Sequence, residues 1–440
     1  MKLLIPEYAS KTIKTLTDNG YSAYFIGGCV RDALLNKEPL DWDITTNATP
    51  KQVSALFPKY FETGIKHGTV TVLTDDKPIE ITTFRVDSDY ADNRHPESVV
   101  FAQTLREDVK RRDFTMNAIG YNEQEGLVDY TGGVADIKAR TIRCVGEPDK
   151  RFNEDALRIM RAVRFAGVLE FDIEPETYSA ILKNRELLKN ISAERIHAEL
   201  EKMLLNASSL KSLIPILDIV IPELHACFSC EHNNPYHIYN VGEHCVKAAE
   251  FACNDKSVKY AALLHDIGKP SVATVDSDGV GHFYSHALFS EELARNVLNR
   301  LKIDNKTKNE VLLLIKYHDR VFEPTEKSVR KFLSKTSPEF FLKLLLLQEA
   351  DVKAQNPQYT QERLLKIAQI RSVLNDVIAS QDAFSLKDLA VNGRDIVALG
   401  AKNSQIRFIL NRLLTAVIDN QELNNKEKLL EMAKNILKCR

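Results

Sequence analysis

Up to about residue 145, the chain alternates strand-like runs with stretches of helical periodicity. SAYFIGG, HGTVTVL and PIEITTF are rich in β-branched and aromatic residues, whereas YASKTIKTLTDNG and PKQVSALF repeat apolar residues at helical spacing. This alternation predicts a mixed β-sheet with helices packed on it.

From about residue 150 onward, apolar residues recur at helical spacing and strand signals nearly vanish. We therefore predict an α+β fold, in which a small mixed-sheet head precedes an elongated all-helical body. A length of 440 residues favours about three structural units. The predicted units are a head over residues 1–145, a helical neck over 146–215, and a helical body with a tail over 216–440.

The composition is that of a soluble globular protein. With 44% hydrophobic and 27% charged residues, the chain has enough apolar side chains for several cores. No apolar run approaches the length of a membrane span, and the first ten residues are too polar for a secretory signal. Seven cysteines, an odd number scattered over a long chain, favour reduced thiols over a disulfide framework. We expect a cytoplasmic protein with no membrane partner.

One cysteine pair, Cys227 and Cys230, has the spacing of metal ligands. A zinc site normally needs four ligands, and the sequence has no second CxxC. We therefore interpret the pair as two ordinary thiols, with zinc ligation helped by His232 as the alternative.

The formal net charge of −2 argues against a nucleic-acid partner bound by an overall basic surface. Any polynucleotide would instead be held by local basic patches. VKRRDF (109–114) and RIMRAVRF (158–165) are two such patches.

The stretch GGCVRDALLNKEPLDWDI, residues 27–44, combines two glycines, an arginine and two alternating aspartates. On a strand, Asp41 and Asp43 leave the same face, and two adjacent carboxylates are best tolerated when they share a divalent cation. Gly28 lets the backbone approach a phosphate closely, and Arg31 supplies a positive charge beside it. Read alone, the stretch favours a turn followed by a polar strand end.

Glu80, in PIEITTFR, lies in the middle of a predicted half-buried strand. A carboxylate there usually needs a partner, and a metal shared with the two aspartates would provide one. An outward-facing glutamate on an amphipathic strand is the alternative.

Two later motifs add basic and acidic side chains. In KRRDFTMNA (110–118), the arginines offer forked donors to phosphate or ribose oxygens, and the aspartate accepts from ribose hydroxyls. In NEDALRIMRAVRFAG (153–167), an acid and three arginines recur every three residues, which predicts a ridge along one helix. Each motif alone is also compatible with solvated surface.

Together these motifs resemble the head of polymerase-β-like nucleotidyltransferases. The full set is similar to the family of class II tRNA nucleotidyltransferases, or CCA-adding enzymes, and bacterial poly(A) polymerases. The resemblance implies that Asp41 and Asp43 bind two catalytic Mg²⁺ ions, with Glu80 as a third carboxylate. It implies that Gly28 and Arg31 contact the triphosphate.

The same resemblance assigns nucleotide contacts in the two later motifs. These are Arg111, Arg112, Asp113, Glu154, Asp155, Arg158, Arg161 and Arg164. An aspartate acceptor beside an arginine donor complements the Watson–Crick edges of cytosine and adenine, and it mismatches uracil and guanine. Asp155 and Arg158 are therefore expected to select the base without a nucleic-acid template, with Glu194 and Arg195 as support.

Two further segments bear on which nucleotides are added. TGIKHGTVTV (63–72) and the charged segment DYADNRHPES (89–98) resemble CCA-adding enzymes more than poly(A) polymerases. The second resembles the flexible element needed to pass from C to A addition, which is shortened in family members that add only CC.

The body concentrates histidines in an ordered series. An adjacent His-Asp pair, with other His and Asp residues on neighbouring helices, is able to complete a metal site. The series resembles an HD-type metal-dependent phosphohydrolase domain, and the resemblance matches its core ligands to His244, His265, Asp266 and Asp351. His286 and His318 would allow a second metal. Core histidines satisfied by hydrogen bonds are the alternative.

The sequence thus predicts a Mg²⁺-dependent enzyme that adds C, C and A to the tRNA 3′ end from CTP and ATP, releasing pyrophosphate. A poly(A) polymerase and a partial CC- or A-adding enzyme stay open as alternatives. An HD-type phosphohydrolase with an RNA-binding head is an alternative from another class. The sequence leaves open whether the HD domain is catalytic or a helical platform for tRNA, which divalent metal it holds, and the oligomeric state.

Overall fold

The computed structural model describes residues 3–64, 68–87 and 99–438. Within it the chain forms two compact units, Met1–Pro222 and Glu223–Arg440. The predicted boundaries at residues 145 and 215 stay a prediction. Among the described residues, no helix combines the length and the apolar character needed to cross a membrane.

The first unit contains a seven-stranded mixed sheet and ten helices among its described residues. Its strands are β1 (Ala23–Ile26), β2 (Ile44–Thr46), β3 (Tyr60–Gly64), β4 (Thr69–Thr74), β5 (Lys77–Thr83), β6 (Arg85–Asp87), β7 (Val99–Phe101), β8 (Ile119–Asn122), β9 (Gly126–Asp129), β10 (Thr141–Ile142) and β11 (Asp172–Ile173). Its helices are α1 (Glu7–Asp18), α2 (Gly28–Leu34), α3 (Pro50–Leu56), α4 (Leu105–Asp108), α5 (Gly133–Lys138), α6 (Pro148–Glu154), α7 (Leu157–Leu169), α8 (Pro175–Asn184), α9 (Ala193–Asn206) and α10 (Ile214–Val220).

The large sheet has the strand order β3-β4-β5-β2-β1-β8-β9. Its neighbouring strands are antiparallel except for β2 and β5, which run parallel with Ile44 opposite Ile81. Along β5, Ile79 and Ile81 are buried while Glu80 between them is exposed. This alternation is that of a strand with one face on the core, as the sequence predicts.

The DWD motif ends just before β2, so Asp41 and Asp43 do not lie on the strand itself. Its side chains still alternate, because Trp42 is buried and packs edge-on against Phe25 with ring centroids 5.0 Å apart. Trp42 is the only tryptophan in the chain. On either side of Trp42, Asp41 is exposed and Asp43 is partly buried.

The second unit is helical apart from one short hairpin within its described residues. The hairpin strands are β12 (Thr274–Val275) and β13 (Gly281–His282). The helices are α11 (Val241–Phe251), α12 (Lys256–Leu264), α13 (His286–Arg300), α14 (Asn305–Tyr317), α15 (Glu326–Leu333), α16 (Pro338–Lys353), α17 (Gln361–Ala379), α18 (Gly393–Ala398), α19 (Asn403–Asp419) and α20 (Lys426–Lys438).

Helix α12 packs against α11, α14 and α16. His244 lies on α11 and Asp351 on α16, whereas His265 and His318 directly follow α12 and α14. The last three helices share a separate apolar core built around Ile396, Leu413, Val417 and Leu429. The mixed-sheet head and helical body of the predicted α+β fold are thus confirmed.

Candidate functional site

Asp43 and Glu80 line one pocket of the head, together with Thr82, Arg111 and Arg112. The parallel register explains this, because each carboxylate immediately precedes one member of the Ile44 and Ile81 pair. Burial raises the pKa of Asp43 to about 7, repulsion from Asp41 and Glu80 adds to the rise, and Arg112 opposes it.

Asp41 does not line this pocket and is exposed at the surface. Within the described residues, the oxygens of Asp41, Asp43 and Glu80 do not all lie within 4.8 Å of one another. Their joint role as metal ligands therefore stays a prediction. The all-oxygen donor set and the raised pKa of Asp43 nevertheless fit a hard divalent cation, which favours the charged form of a carboxylate.

The glycine pair turns the chain from β1 into α2. Gly27 precedes the helix with φ +83° and ψ −134°, a conformation that residues with a Cβ rarely adopt. Gly28 is the first helical residue. The motif predicts a role for Gly28, but Gly27 is the glycine whose backbone conformation requires the absence of a side chain.

Arg31 is buried and its guanidinium binds protein groups in this structure. It donates to Asn117 Oδ1 at 2.8 Å and to Asp32 Oδ1 at 2.9 Å. Its guanidinium carbon also lies 5.0 Å from the centre of the Phe165 ring. Contact with a triphosphate stays a prediction for this residue.

Arg111 and Arg112 are both held by Asp108, which the sequence analysis missed. The fully buried Asp108 carboxylate accepts from Arg111 Nε at 2.8 Å and from Arg112 Nη2 at 3.0 Å. Burial alone would raise the pKa of Asp108, but the two arginines hold it below its usual value. A sequence signal was available, because Asp108 precedes Arg111 by three residues and Arg112 by four, and both spacings favour ion pairs.

Two ion pairs place the arginines of α7. Arg161 binds Asp113 at 2.7 Å, and Arg164 donates to the buried Glu199 of α9 at 2.6 Å. Asp113 also accepts from the backbone N–H of Phe114 at 2.8 Å. Although burial raises the pKa of Asp113, these partners, and above all Arg161, hold it below its usual value.

Phe165 is an aromatic centre that sequence reasoning overlooked. The guanidinium carbons of Arg31, Arg161 and Arg164 lie 5.0, 5.4 and 4.1 Å from the centre of its ring. Phe165 is itself buried and packs edge-on against Phe114. Three predicted nucleotide contacts therefore converge on one ring, as cation–π attraction favours.

The predicted helix over residues 153–167 is wrong in one respect, because the chain breaks at Asp155. α6 ends at Glu154, Asp155 is extended with φ −144° and ψ 103°, and α7 begins at Leu157. The Asp155 carboxylate accepts from the backbone N–H of Leu157 at 3.1 Å. Such a local bond competes with helix continuation, so Asp155 does not share the ridge of the α7 arginines.

Different partners hold Asp155 and Arg158, the pair expected to select the base. Arg158 is buried and donates to Glu154 at 2.7 Å and to the backbone oxygen of Arg111 at 2.9 Å. Asp155 accepts two bonds from Arg195 of α9, at 2.8 and 3.2 Å. The predicted support from Arg195 is thus a direct contact, while base selection stays a prediction.

The histidine–aspartate cluster of the body is defined here as His244, His265, Asp266, His286, His318 and Asp351. Within the described residues, two groups are able to hold a metal: His244, His265 and Asp266, and Asp266, His286 and His318. Asp266 belongs to both groups, and its Oδ2 lies 3.2 Å from His265 Nε2 while Oδ1 lies 3.1 Å from His286 Nε2. Asp351 Oδ1 is 3.0 Å from His244 Nε2.

The four histidines of the cluster share one orientation. Each places Nδ1 near a backbone carbonyl oxygen, at 3.4 Å for His244 and Ala354, 2.8 Å for His265 and Ala262, 2.9 Å for His286 and Phe283, and 2.6 Å for His318 and Ile315. Because a carbonyl oxygen only accepts, we assign the ring proton to Nδ1 and a lone pair to Nε2.

The Nε2 atoms face one another across the cluster. They lie 3.3 Å apart between His244 and His265, and 3.1 Å apart between His286 and His318. Two lone pairs at that distance repel unless a cation or a proton lies near both. Backbone carbonyls that fix the tautomer are also typical of the surroundings of metal-bound histidines. The donor set therefore fits divalent metals that accept imidazole nitrogen and carboxylate oxygen.

The cysteine pair lies outside these metal-holding groups. Cys227 is buried, and its thiol donates to the backbone oxygen of Ile267 at 3.7 Å. Burial raises the pKa of Cys227 to about 12, which keeps it a thiol. The geometry favours the interpretation as ordinary thiols.

Two of the predicted functional segments fall outside the described residues, wholly or in part. The segment 89–98 lies entirely outside them, and residues 65–67 of the segment 63–72 do as well. The predictions made for these segments are therefore untested by the fold.

Three parts of the chain match known protein families. Residues 23–143 match the Poly A polymerase head domain, and residues 170–227 match the probable RNA and SrmB-binding site of polymerase A. Residues 236–368 match the HD domain.

Curated relatives are similar to about half of the chain. The chain is 51% identical over 215 residues to the CCA-adding enzyme of Lactobacillus helveticus, covering 49% of the chain and 54% of that protein. It is 53% identical over 192 residues to the CCA-adding enzyme of Geobacillus stearothermophilus, covering 44% and 48%. The chain thus spans about half the length of the curated relatives it matches.

Solved structures are similar over nearly the whole chain. The Bacillus stearothermophilus CCA-adding enzyme in complex with CTP is 31% identical, with a TM-score of 0.73 and 99% of both chains covered. The Thermotoga maritima CCA-adding enzyme complexed with tRNA is 20% identical, with a TM-score of 0.63 and coverage of 99% and 97%. The second comparison shows a shared fold.

Proposed function

The chain belongs to the family of CCA-adding enzymes, and we propose that it adds C, C and A to the 3′ end of tRNA. CTP and ATP are the proposed substrates and pyrophosphate the leaving product. The observation that carries the proposal is the head pocket, where Asp43 and Glu80 face Arg111 and Arg112. Carboxylates for a metal beside arginines for phosphate are the requirements of phosphoryl transfer.

Mg²⁺ is the proposed metal, held by Asp41, Asp43 and Glu80. When bound, it would supply charge neutralisation for the triphosphate and activation of the tRNA 3′-hydroxyl. Oxygen ligands favour Mg²⁺ over metals that prefer nitrogen or sulfur. The high pKa of Asp43 supports this assignment, because its carboxylate lacks sufficient cationic neighbours without a metal.

The arginines of the head would bind the triphosphate without large rearrangement. Asp108 fixes Arg111 and Arg112 at the pocket wall, so their rotamer entropy is lost during folding and not during nucleotide binding. Asp113 is the proposed ribose contact. Gly28 and Arg31 are proposed to contact the triphosphate from α2.

Base selection is proposed for Asp155 and Arg158 of the neck, with Glu154 beside them. An acceptor and a donor together complement cytosine and adenine and leave uracil and guanine with unpaired polar groups. Arg195 and Glu154 hold the two side chains in place, and a nucleotide would use the lone pairs and N–H groups that these bonds leave over. We further propose that residues 1–145 perform the transfer, 146–215 select the base and 216–440 bind the tRNA body by shape and backbone.

The test is extension of a tRNA that ends at the discriminator base, with CTP, ATP and Mg²⁺. We expect a product three nucleotides longer, and no product from Asp43→Ala, which should remain folded because it loses a carboxylate and not core packing. Long tails from ATP alone would identify a poly(A) polymerase, and a product stopping short of CCA would identify a partial enzyme. No incorporation by the unmodified protein would overturn the proposal.

The histidine–aspartate cluster supports a second candidate function, metal-dependent hydrolysis of phosphate esters. Four inward Nε2 atoms and a carboxylate shared by two metal-holding groups are the specific observation. We expect hydrolysis of a 2′,3′-cyclic nucleotide that survives Asp43→Ala and is lost in His265→Ala. If Asp43→Ala abolishes the hydrolysis, or His265→Ala does not, the body is not its source.

A further inference from the structure

A pocket of the body, separate from the one in the head, opens beside the histidine–aspartate cluster. His318 and Asp351 of the cluster line it together with the neighbouring Asp319. Asp319 itself approaches the cluster, with Oδ2 3.1 Å from His286 Nε2. A ligand in this pocket would therefore touch the groups that hold the metals.

Three cationic side chains line the same pocket: Arg320, Arg363 and Lys366. Arg363 and Lys366 lie three residues apart on α17, so their side chains share one helix face. Arg320 directly follows the turn that carries His318, and its guanidinium carbon lies 4.9 Å from the centre of the Phe332 ring. Lys366 also pairs with the exposed Glu323 at 3.0 Å, and because an exposed ion pair contributes little, a bound anion is able to replace this partner.

Arg363 is linked to the cluster by one intermediate side chain. The buried Gln355 accepts from Arg363 Nη1 and donates to Asp351 Oδ1 at 3.0 Å. This bond uses one of the five guanidinium donors, and the fork geometry of the others suits two oxygens of a phosphate. The guanidinium is therefore held next to a proposed metal ligand.

Apart from Gln348, the remaining wall of the pocket is apolar. Val321, Phe322, Val352, Ile367 and Ile370 line it. Inorganic phosphate gains nothing from such a wall, whereas an ester with an apolar or aromatic group buries surface against it.

We propose that Arg320, Arg363 and Lys366 form an anion-binding subsite that holds the phosphate of an organic ester against the histidine–aspartate cluster. This proposal rests on the hydrolase function proposed for the body. The three cations bind the phosphate oxygens that face away from the metals, and the apolar wall holds the organic group. Arg363 and Lys366 are specificity residues that set how tightly the phosphate is held.

Calorimetric binding of phenylphosphonate to the full chain equilibrated with Mn²⁺ tests the subsite, because this probe is a phosphate analogue that cannot be hydrolysed. We expect Arg363→Gln and Lys366→Gln each to weaken binding by about tenfold, the loss of one charge-assisted hydrogen-bond partner. Arg371→Gln is the matched control on α17, where Arg371 pairs with Glu349 and does not line the pocket. Its affinity should equal that of the unmodified protein.

Unchanged binding in both Arg363→Gln and Lys366→Gln would overturn the subsite, and so would equal weakening by Arg371→Gln. Inorganic phosphate bound as tightly as phenylphosphonate would overturn the role of the apolar wall. Phenylphosphonate bound through Arg363 without any turnover of p-nitrophenyl phosphate would retain the subsite and refute the hydrolase function. Turnover with an unchanged KM in both α17 variants would retain the hydrolase function and refute the subsite.

Discussion

The carboxylate of Asp155 is bound by the guanidinium of Arg195, through hydrogen bonds of 2.8 and 3.2 Å between residues forty positions apart. Both side chains are only partly buried, with 20% and 26% of their surfaces exposed. A fork of two parallel bonds fixes the carboxylate plane as well as its position. Arg195 thus orients an acceptor that is proposed to read the incoming base.

Replacing Arg195 by methionine should therefore impair nucleotide choice more than chemistry. We expect kcat/KM for CTP to fall about tenfold while UTP is hardly affected, because the lost orientation matters only for the matching base. Arg195→Lys should restore only part of the preference, because an ammonium keeps the positive charge but cannot form two parallel bonds to the carboxylate. The measurement is single-nucleotide extension with CTP and UTP.

Arg140→Met serves as the control, because Arg140 is exposed and pairs with the exposed Glu170. It should retain the preference for CTP over UTP. Equal losses with both nucleotides in Arg195→Met would show that Arg195 supports the fold and does not orient the acceptor.

The sequence predicts the sheet and the pocket better than it predicts the pairing within the neck. Glu80 is exposed between two buried neighbours on β5, as in the alternative of an outward-facing glutamate, and it lines one pocket with Asp43, Arg111 and Arg112. The alternation of side chains along a strand has a period of two residues, and each motif is a short local stretch, so both are visible in the sequence.

The pairing in the neck depends on contacts that spacing does not encode. The break at Asp155 arises because a short polar side chain binds the backbone two residues ahead, which the apolar repeat of the segment does not reveal. The partner of Arg164 is set by how two separate helices pack, because Glu199 lies on α9. Neither is visible in a sequence read one segment at a time.

Asp108→Asn should destabilise the head and weaken nucleotide binding together. The substitution leaves two arginines without their buried counter-charge, which typically costs about 3 kcal/mol. We expect a lower urea midpoint in the fluorescence of Trp42 and a higher KM for both CTP and ATP. Asp76→Asn, which removes an exposed ion pair with Lys59, should change neither quantity. A normal KM in a folded Asp108→Asn protein would contradict the role given to this carboxylate.

Asp43→Asn should stabilise the metal-free head at high pH. The pKa of Asp43 is about 7 in the folded chain and 3.8 when unperturbed, so the native state retains a proton that the unfolded state has lost. The stability of the native state therefore falls as pH rises from about 4 to about 7, and then stays level.

Asp43→Asn has no carboxyl group at this position, so its stability does not show this fall between about pH 4 and about pH 7. In EDTA we expect it to exceed the unmodified protein by on the order of 2 kcal/mol at pH 8, and by little near pH 4. The fluorescence of Trp42 during urea unfolding measures the stability of both proteins at each pH. Mg²⁺ should stabilise the unmodified protein and not the variant, because the ion binds the charged carboxylate. A difference that grows toward low pH would contradict the raised pKa.

Metal content should distinguish the two halves of the histidine–aspartate cluster, because Asp266 belongs to both groups and His286 to only one. After equilibration with Mn²⁺ and gel filtration, we expect Asp266→Asn to retain at least tenfold less metal than the unmodified protein. His286→Ala should lose about half. His282→Ala, which removes a partly exposed histidine paired with Asp276, should retain all of it. Full retention of metal by Asp266→Asn would show that the bound metal is held outside these two groups.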